Sequence, residues 1–191
     1  MDPATHYRGR VAEEYEDRRR DQPEWRAEAE AVRRWLEDIP PGSVVLDVPV
    51  GTGRFLKLYH ELGLFCVGVD ISADMLKQAD VKDTFAFLLQ GDATDLPPGV
   101  PCADVAVCVR FVNWVSPEGL RGTLRGLRRR VSRMLVGAMT SEAVPVVRGG
   151  ATTFSEECFR QALAAAGLVE SQRFVITEGD GYVYALRELR T

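Results

Sequence analysis

The chain has 191 residues, of which 46% are hydrophobic and 27% are charged, and its formal net charge is −4. This length and composition are typical of one globular domain and exclude a disordered or fibrous chain. The sequence has no apolar run of membrane-spanning length, and residues 1–10 lack the apolar stretch of a secretory signal.

The N-terminal part of the chain is predicted to be helical. Apolar residues spaced among charges over residues 5–38 predict two helices, with Pro23 near the start of the second. Pro40-Pro41-Gly42 ends this segment. A strand over residues 44–48, a glycine-bearing turn, and a helix over residues 54–62 that ends at Gly63 are predicted next.

From residue 65 onward, strands alternate with helices. Strands are predicted over residues 65–69, 85–89, 105–109, 134–138, 169–177 and 182–186, and helices over residues 73–80, 117–130 and 156–166. The alternation predicts an α/β fold: a Rossmann-like, seven-stranded, mostly parallel sheet with helices on both faces. Glu178-Gly179-Asp180-Gly181 joins the last two strands directly, so the last strand is predicted to run antiparallel.

The four cysteines, Cys66, Cys102, Cys108 and Cys158, are scattered without CxxC spacing. Three of them fall in apolar or helical patterns, which favours buried thiols over disulfides or a metal centre. We therefore predict no bound metal and a reducing, cytoplasmic location.

The loop after the first strand carries two glycines that favour ligand binding. It reads Asp47-Val48-Pro49-Val50-Gly51-Thr52-Gly53, and glycine lets bare backbone N–H groups approach a ligand at a helix N-terminus. By itself the glycine pair is consistent with NAD, a phosphate, S-adenosylmethionine (SAM) or a tight turn. Asp47 would repel a pyrophosphate but suits the amino group of SAM, unless it only caps the turn. Leu56 stands where a dinucleotide-binding fold has its third glycine.

Acidic residues also end the second and third predicted strands. Asp70 lies 17 residues beyond Gly53, where a carboxylate can accept both ribose hydroxyls in NAD and SAM folds alike. Asp92 is placed for the exocyclic amine of adenine, with the Ala93 N–H facing a ring nitrogen. A plain turn residue fits the spacing of Asp92 nearly as well.

Together these motifs resemble the class I SAM-dependent methyltransferase superfamily, and within it the small-molecule branch related to ubiquinone and menaquinone biosynthesis. The motifs are Leu46-Asp47-x-x-x-Gly51-Thr52-Gly53, then Gly68-Val69-Asp70-Ile71-Ser72 with Met75-Leu76, then Gly91-Asp92-Ala93. The resemblance covers residues 43–187. It implies an enzyme that binds SAM and transfers its methyl group to a small molecule.

The resemblance also implies a set of cofactor-binding residues. Asp47, Gly51 and Gly53 would hold the methionine end of SAM. Asp70 would hold the ribose, and Ile71 and Met75 would contact the adenine. The full predicted set is Tyr15, Arg19, Asp47, Val48, Gly51, Gly53, Asp70, Ile71, Met75, Asp92, Ala93 and Arg110.

The loop departs from the family pattern at one point. The family usually has a small residue followed by Cys-Gly-Thr-Gly, whereas this chain has Pro49-Val50 ahead of Gly51. Proline has no N–H and a restricted φ. Because the backbone of Gly51 and Gly53 remains available, cofactor binding is expected to survive. A non-catalytic binding protein of the same fold is the alternative that this loop leaves open.

By the same resemblance, residues 110–115 face the methyl donor and the acceptor. Arg110 would pair with the SAM carboxylate or an anionic substrate. Asn113 and Trp114 would line the acceptor pocket, although Trp114 is equally consistent with a core position. The candidate catalytic residues are His6, Arg110, Asn113 and Trp114.

One domain is predicted for residues 1–191, with a helical cap over residues 1–40 and a SAM-binding core over residues 41–191. Tyr7, Tyr15 and Arg19 would close over the cofactor, as such segments do in related enzymes; a simple docking helix is the alternative. The irregular residues 139–153 are also predicted to be functional, with Arg148 as a second contact for an anionic acceptor.

Arginines cluster at residues 18–20 and over residues 121–133. They are typical of a solvated helix face but would also attract an anionic partner. A nucleic-acid or protein methyltransferase is therefore the alternative function. The chain lacks the Asn/Asp-Pro-Pro-aromatic pattern of nucleobase amino-methyltransferases after its fourth strand. We accordingly predict a small-molecule acceptor, no nucleic-acid partner and no membrane association.

Overall fold

The protein is described by a computed structural model that covers residues 6–82, 86–141, 147–148, 151–177 and 181–189. The strands, in chain order, are β1 (Val44–Asp47), β2 (Phe65–Asp70), β3 (Phe87–Gln90), β4 (Val105–Cys108), β5 (Arg133–Ser141), β6 (Val147–Arg148), β7 (Ala151–Thr152), β8 (Phe154–Ser155), β9 (Leu168–Thr177) and β10 (Gly181–Glu188). The main sheet has the order β3-β2-β1-β4-β5-β10-β9, with β8 paired to β5.

The predicted α/β sheet is confirmed. Strands β1 to β5 pair with one another in parallel, and β10 runs antiparallel to both β5 and β9. The structure adds an eighth strand, because β5 extends to Ser141 and β8 pairs with its end through Thr140 and Phe154. The sequence does not predict this strand, since a two-residue strand has no periodicity to detect. Residues 178–180 of the predicted hairpin turn lie outside the described residues.

The helices are α1 (Arg10–Glu13), α2 (Pro23–Leu36), α3 (Leu56–Glu61), α4 (Ala73–Lys82), α5 (Pro117–Arg128) and α6 (Glu156–Ala165), and a 3₁₀ turn spans Val112–Trp114. Of the two helices predicted before residue 38, the second is present, but the first is limited to the single turn α1. Residues 14–21 form turns instead. This stretch is almost entirely charged and offers no apolar stripe to pack, which is where most helical stability in proteins originates.

Helices cover both faces of the sheet, as predicted. Helices α2, α3 and α4 pack on one face, against strand residues such as Val45 and Val107. Helices α5 and α6 pack on the other, against Leu46 and Ala106. Neighbouring residues of one strand therefore enter different apolar layers, because side chains alternate across a sheet. None of the helices in the described ranges has the length and hydrophobicity that crossing a bilayer requires.

The strand order places a crevice beside the carboxyl end of β1. The chain runs from β1 to β2 and β3 on one side, and then returns to β4 on the other side of β1. Connections that leave a strand end in opposite directions open a crevice there, which is where open α/β sheets bind ligands. The loops after β1, β2 and β4 all reach this position.

Candidate functional site

A cavity lies at the carboxyl ends of β1, β2 and β4, beneath the N-terminal segment. Nine of the predicted site residues line it: His6, Tyr15, Asp47, Gly51, Asp70, Ile71, Met75, Arg110 and Trp114. Trp114 is 49% exposed, so the alternative of a core position for this residue is wrong. The structure thus brings together residues from the N-terminal segment and from three separate strand ends.

The two loop glycines have different surroundings. Both have a positive φ, +57° at Gly51 and +74° at Gly53. A Cβ on Gly51 would meet nothing within 4 Å, whereas one on Gly53 would lie 2.6 Å from Leu56 Cδ1 and 3.0 Å from Ala79. Gly53 therefore allows close packing of the loop on α4 and does not border the cavity, while Gly51 does.

Asp70 organises the glycine loop. Its Oδ2 accepts a hydrogen bond from the Gly51 N–H at 2.9 Å, and its Oδ1 accepts one from the Ser72 N–H at 2.8 Å. The Gly51 N–H that the sequence analysis assigned to a ligand thus donates to Asp70. Burial raises the pKa of Asp70, and these backbone hydrogen bonds oppose that shift. Each carboxylate oxygen has a second lone pair, so Asp70 keeps capacity to accept hydrogen bonds from a ligand.

Asp47 is a buried carboxyl at the end of β1, only 2% exposed. The Tyr59 hydroxyl donates to its Oδ2 at 2.9 Å. Burial raises the pKa of Asp47 to about 7, although the Tyr59 hydrogen bond opposes the shift. Tyr59 was not among the predicted site residues, because only packing of α3 on the sheet brings it to Asp47.

Two of the predicted residues stabilise the loops near the cavity and do not line it. Asn113 donates from Nδ2 to the Met139 carbonyl at 2.9 Å and accepts from the Met139 N–H at 2.7 Å. The Asp92 Oδ1 accepts from the Thr94 N–H at 2.7 Å and from its hydroxyl at 2.8 Å. Asp92 is exposed and has the turn role that its spacing left open. Neither geometry supports direct ligand contact.

Three further predicted residues also lie outside the cavity lining. Val48 and Ala93 are buried in the apolar layer beneath α5 and α6. Arg19 donates to the Tyr15 carbonyl at 3.0 Å, and its guanidinium carbon lies 3.9 Å from the centre of the Tyr15 ring. Arg19 therefore holds Tyr15 in place without lining the cavity.

An arginine centre, formed by Trp25, Glu28, Arg54 and Arg110, was not predicted as a unit. The Nη1 atoms of Arg54 and Arg110 each lie 3.0 Å from the same oxygen of Glu28. The Arg54 guanidinium carbon lies 3.6 Å from the centre of a Trp25 ring. No sequence spacing signals this centre, because its residues come from α2, from the glycine loop and from the segment after β4.

Polar contacts tie the N-terminal segment to the cavity wall. The Ser72 hydroxyl donates to the Tyr7 carbonyl, and the Gly9 N–H donates to Asp74 at 2.8 Å. Glu16 Oε1 accepts from the Thr52 hydroxyl at 2.5 Å and from Lys82 Nζ at 2.6 Å. Tyr7, Tyr15 and Trp25 meet edge to face above the cavity, with successive ring centres 5.8 Å and 6.1 Å apart.

Replacing Asp47 by asparagine is expected to increase stability in a pH-dependent way. The pKa of Asp47 is about 7 in the folded protein against 3.8 for an ordinary aspartate, so the folded state holds a proton that the unfolded chain releases between these values. The contribution of Asp47 to stability therefore falls as the pH rises from 3.8 to about 7. Asp47→Asn removes the titration but keeps an oxygen for the Tyr59 hydroxyl.

The measurement is chemical unfolding of Asp47→Asn and wild type over a pH series. The stability of the variant relative to wild type should grow by a few kcal/mol up to neutral pH and then level off. The exposed Asp80→Asn is the matched control. A difference for Asp47→Asn that does not change with pH contradicts the prediction.

Comparisons with known proteins agree with this architecture. A family model described as "Methyltransferase domain" matches residues 45–133. A demethylmenaquinone methyltransferase of Corynebacterium urealyticum is 30% identical over 154 residues, which are 80% of this chain and 62% of the relative. A second, from Paenarthrobacter aurescens, is 27% identical and covers 83% of this chain and 62% of its own length. The chain thus spans about three fifths of these curated relatives.

Among solved structures, magnesium protoporphyrin IX methyltransferase of Synechocystis with bound SAM has the same fold. It superposes with a TM-score of 0.74 at 15% identity and covers 98% of both chains. The family match over residues 45–133 includes strands β1 to β4, whose ends form the cavity. Over residues 45–133 the chain is thus similar in sequence to a methyltransferase domain, and its fold is that of a methyltransferase solved with bound SAM.

Proposed function

We propose that the protein binds SAM in the cavity and transfers its methyl group to a small-molecule acceptor. The observation that carries this proposal is the pairing of two buried carboxylates, Asp47 and Asp70, with an open glycine backbone at Gly51 in one cavity. SAM presents an ammonium group, a ribose diol and an adenine ring along one extended molecule. The two relatives described above are named demethylmenaquinone methyltransferases.

Each part of SAM has a proposed partner among the residues that line the cavity. Asp47 is proposed to take the ammonium group, whose positive charge would favour the ionised form of this carboxyl. Asp70 would accept hydrogen bonds from the ribose hydroxyls through its remaining lone pairs. Ile71 and Met75 would pack on the adenine, and Met75 is buried in the cavity wall.

Alignment and exclusion of water are the proposed contributions of the protein to methyl transfer. The sulfonium of SAM supplies an activated methyl group, which an aligned nucleophile can displace in line. Tyr7, Tyr15, Trp25 and Trp114 would surround the reacting groups with aromatic surface that excludes water. His6 also lines the cavity and is a candidate base for an acceptor that must lose a proton.

The acceptor is proposed to be a small molecule that carries a negative charge. Arg110 faces the cavity together with Phe111 and Trp114, so a charged group and apolar surface are available on the same wall. The side chain of Arg148, the other predicted contact, lies outside the described residues. Two arginines of the helical cluster are already paired: Arg121 with Glu118 at 2.6 Å, and Arg128 with Glu188. This pairing lowers the positive potential available for a nucleic acid.

Of the predicted cap over residues 1–40 on a core of residues 41–191, α2 belongs to the core, because Val32, Trp35 and Leu36 are buried in its apolar layer. We further propose that the part before α2 acts as a lid. The N-terminal segment lies over the cavity and contacts the core through Ser72, Asp74, Lys82 and Thr52. These contacts are polar, so water can replace them when the segment opens. A cytoplasmic location is proposed on the cysteine pattern, since Cys66, Cys102, Cys108 and Cys158 form no disulfide.

Calorimetry is expected to show binding of SAM, or its demethylated product, and no binding of NAD. NAD would place its pyrophosphate beside the Asp47 carboxylate. Asp70→Asn should weaken SAM binding by about 10- to 100-fold, because a hydrogen bond to a charged group contributes roughly 1.5–3 kcal/mol. Asp80→Asn, on the exposed side of α4, should bind like wild type. Tight NAD binding, or unchanged SAM affinity in Asp70→Asn, would rule the assignment out.

Methyl transfer is expected to label small molecules. SAM with a labelled methyl group would be incubated with the protein and, in parallel, with a metabolite extract, nucleic acids and cellular protein. The label should appear in an extract component that is retained by anion exchange. Label in RNA or DNA, with binding that weakens steeply as salt rises, would instead favour the arginine-rich helix face as the substrate site. Binding without transfer to any of the three would indicate a non-catalytic protein.

Loosening the lid is expected to speed the dissociation of SAM. The double variant Glu16→Gln with Asp74→Asn weakens the contacts with Lys82 and Gly9 but alters no residue that lines the cavity. Stopped-flow measurements should show dissociation several-fold faster than in wild type, with little change in melting temperature. Wild-type dissociation rates in this variant would contradict the lid.

A further inference from the structure

Two guanidinium groups share one carboxylate in the arginine centre. Arg54 Nη1 and Arg110 Nη1 both lie 3.0 Å from Glu28 Oε2. One negative charge therefore faces two positive charges, and the centre keeps a net charge of about +1. Asp47 also lines the cavity and interacts with Arg54, and burial raises its pKa to about 7, so it compensates the centre only in part at neutral pH.

The positive charge is held away from water. The side chains of Arg54 and Glu28 are only 11% and 13% exposed, whereas that of Arg110 is 28% exposed and faces the cavity. Burial lowers the pKa of Arg54, although the Glu28 carboxylate opposes this shift. The Arg54 Nε is buried without a hydrogen-bond partner in the described part of the chain. A desolvated charge that is only half compensated is unfavourable until an anion joins it.

Both guanidinium groups of the centre also pack on Trp25. The Arg54 guanidinium lies 3.6 Å from the centre of a Trp25 ring and also donates to the Trp25 carbonyl. The Arg110 guanidinium lies 5.1 Å from the same residue's ring system. Arg110 has φ of +59°, the left-handed region that non-glycine residues rarely adopt. Such backbone strain persists where the surroundings hold a side chain in a required position, and it is concentrated at ligand sites.

From these observations we propose that the arginine centre binds a single carboxylate group and that Glu28 sets this charge selectivity. An incoming carboxylate contacts Arg110 from the cavity. Arg54 and Trp25 lie on the far side of Arg110 and hold its guanidinium group in position. Glu28 cancels one of the two positive charges, so a monoanion neutralises the centre whereas a dianion leaves an uncompensated negative charge. Glu28 is thus a specificity-determining residue of the cavity. The inference rests on the proposed function, because the carboxylate belongs to SAM or to the acceptor.

The first arm of the test measures the carboxylate of SAM. Binding of SAM and of decarboxylated SAM is compared by calorimetry in wild type, Glu28→Gln and Arg110→Gln. Glu28→Gln keeps the size and an oxygen acceptor but removes the charge. Its preference for SAM over the decarboxylated form should rise roughly tenfold, because a competing charge about 4 Å away is removed. Arg110→Gln should abolish the preference.

The second arm measures a carboxylate of the acceptor. Benzoate, phthalate and benzamide serve as a monoanion, a dianion and a neutral probe. If the acceptor supplies the carboxylate, wild type should bind benzoate in preference to phthalate, and Glu28→Gln should reverse this order. Glu30→Gln is the matched control: it removes an exposed charge from the same helix, and Glu30 has no partner among the residues that the structure describes.

The outcomes separate this inference from the proposed function. A charge effect of Glu28→Gln in either arm, absent in Glu30→Gln, supports the inference and identifies the source of the carboxylate. If Glu28→Gln changes neither preference, or weakens charged and neutral ligands alike, Glu28 is structural and the inference is overturned. The proposed function fails separately, if wild type binds neither SAM nor 5′-methylthioadenosine, the fragment without the amino acid group.

Discussion

Desolvation of charge at the strand ends is the constraint on which the rest of the site depends. Asp47 and Asp70 are buried at the ends of β1 and β2, and Arg54 and Arg110 are partly buried beside them. Isolated charges in such surroundings are strongly unfavourable, so each must find a partner or change its protonation. Asp70 has backbone N–H donors, the arginines share Glu28, and the pKa of Asp47 is raised to about 7. Some of these buried charges are only partly neutralised by their partners, and these are the groups that a charged ligand can stabilise.

The topology of the sheet explains why these groups meet. Parallel strands point their carboxyl ends to the same edge, and the reversal of strand order beside β1 leaves that edge open. Glycine at position 53 lets the loop pack against α4, and this packing leaves the backbone of Gly51 beside the cavity. The N-terminal segment then covers the opening and adds the aromatic rings and Glu28. The position of the N-terminal segment therefore depends on the glycine loop, and the position of that loop depends on the sheet.

The buried charged groups of the cavity lower the stability of the fold but are needed for the proposed function. A neutral side chain at position 47 would remove the energetic penalty of a buried carboxyl, but it would also remove the charge proposed to hold an ammonium group. Similarly, an apolar replacement of the buried ion pairs can be neutral or stabilising in proteins, yet it would remove the charge selectivity proposed for the cavity. The protein retains strained and poorly solvated groups at the position where a ligand is expected to compensate them.

Much of the fold could be predicted from the sequence, because periodicity and turn residues are local properties. The order of strands and helices, the antiparallel last strand and the acidic residues at the ends of β1 and β2 all followed from such local signals. The two-residue strand β8 and the turns over residues 14–21 did not, since one has no periodicity and the other has charges without an apolar face.

The sequence by itself therefore determined the class of sheet, the superfamily motifs and nine residues of the cavity lining. Only the tertiary structure decided which polar groups contact one another. It gave Asn113 and Asp92 backbone-stabilising roles, paired Asp47 with Tyr59, and joined Glu28, Arg54 and Arg110 into one centre. The Asp47–Tyr59 partners lie 12 residues apart in the chain, and Glu28 and Arg110 lie 82 residues apart. Burial and packing, which no local pattern encodes, determine which of those contacts form.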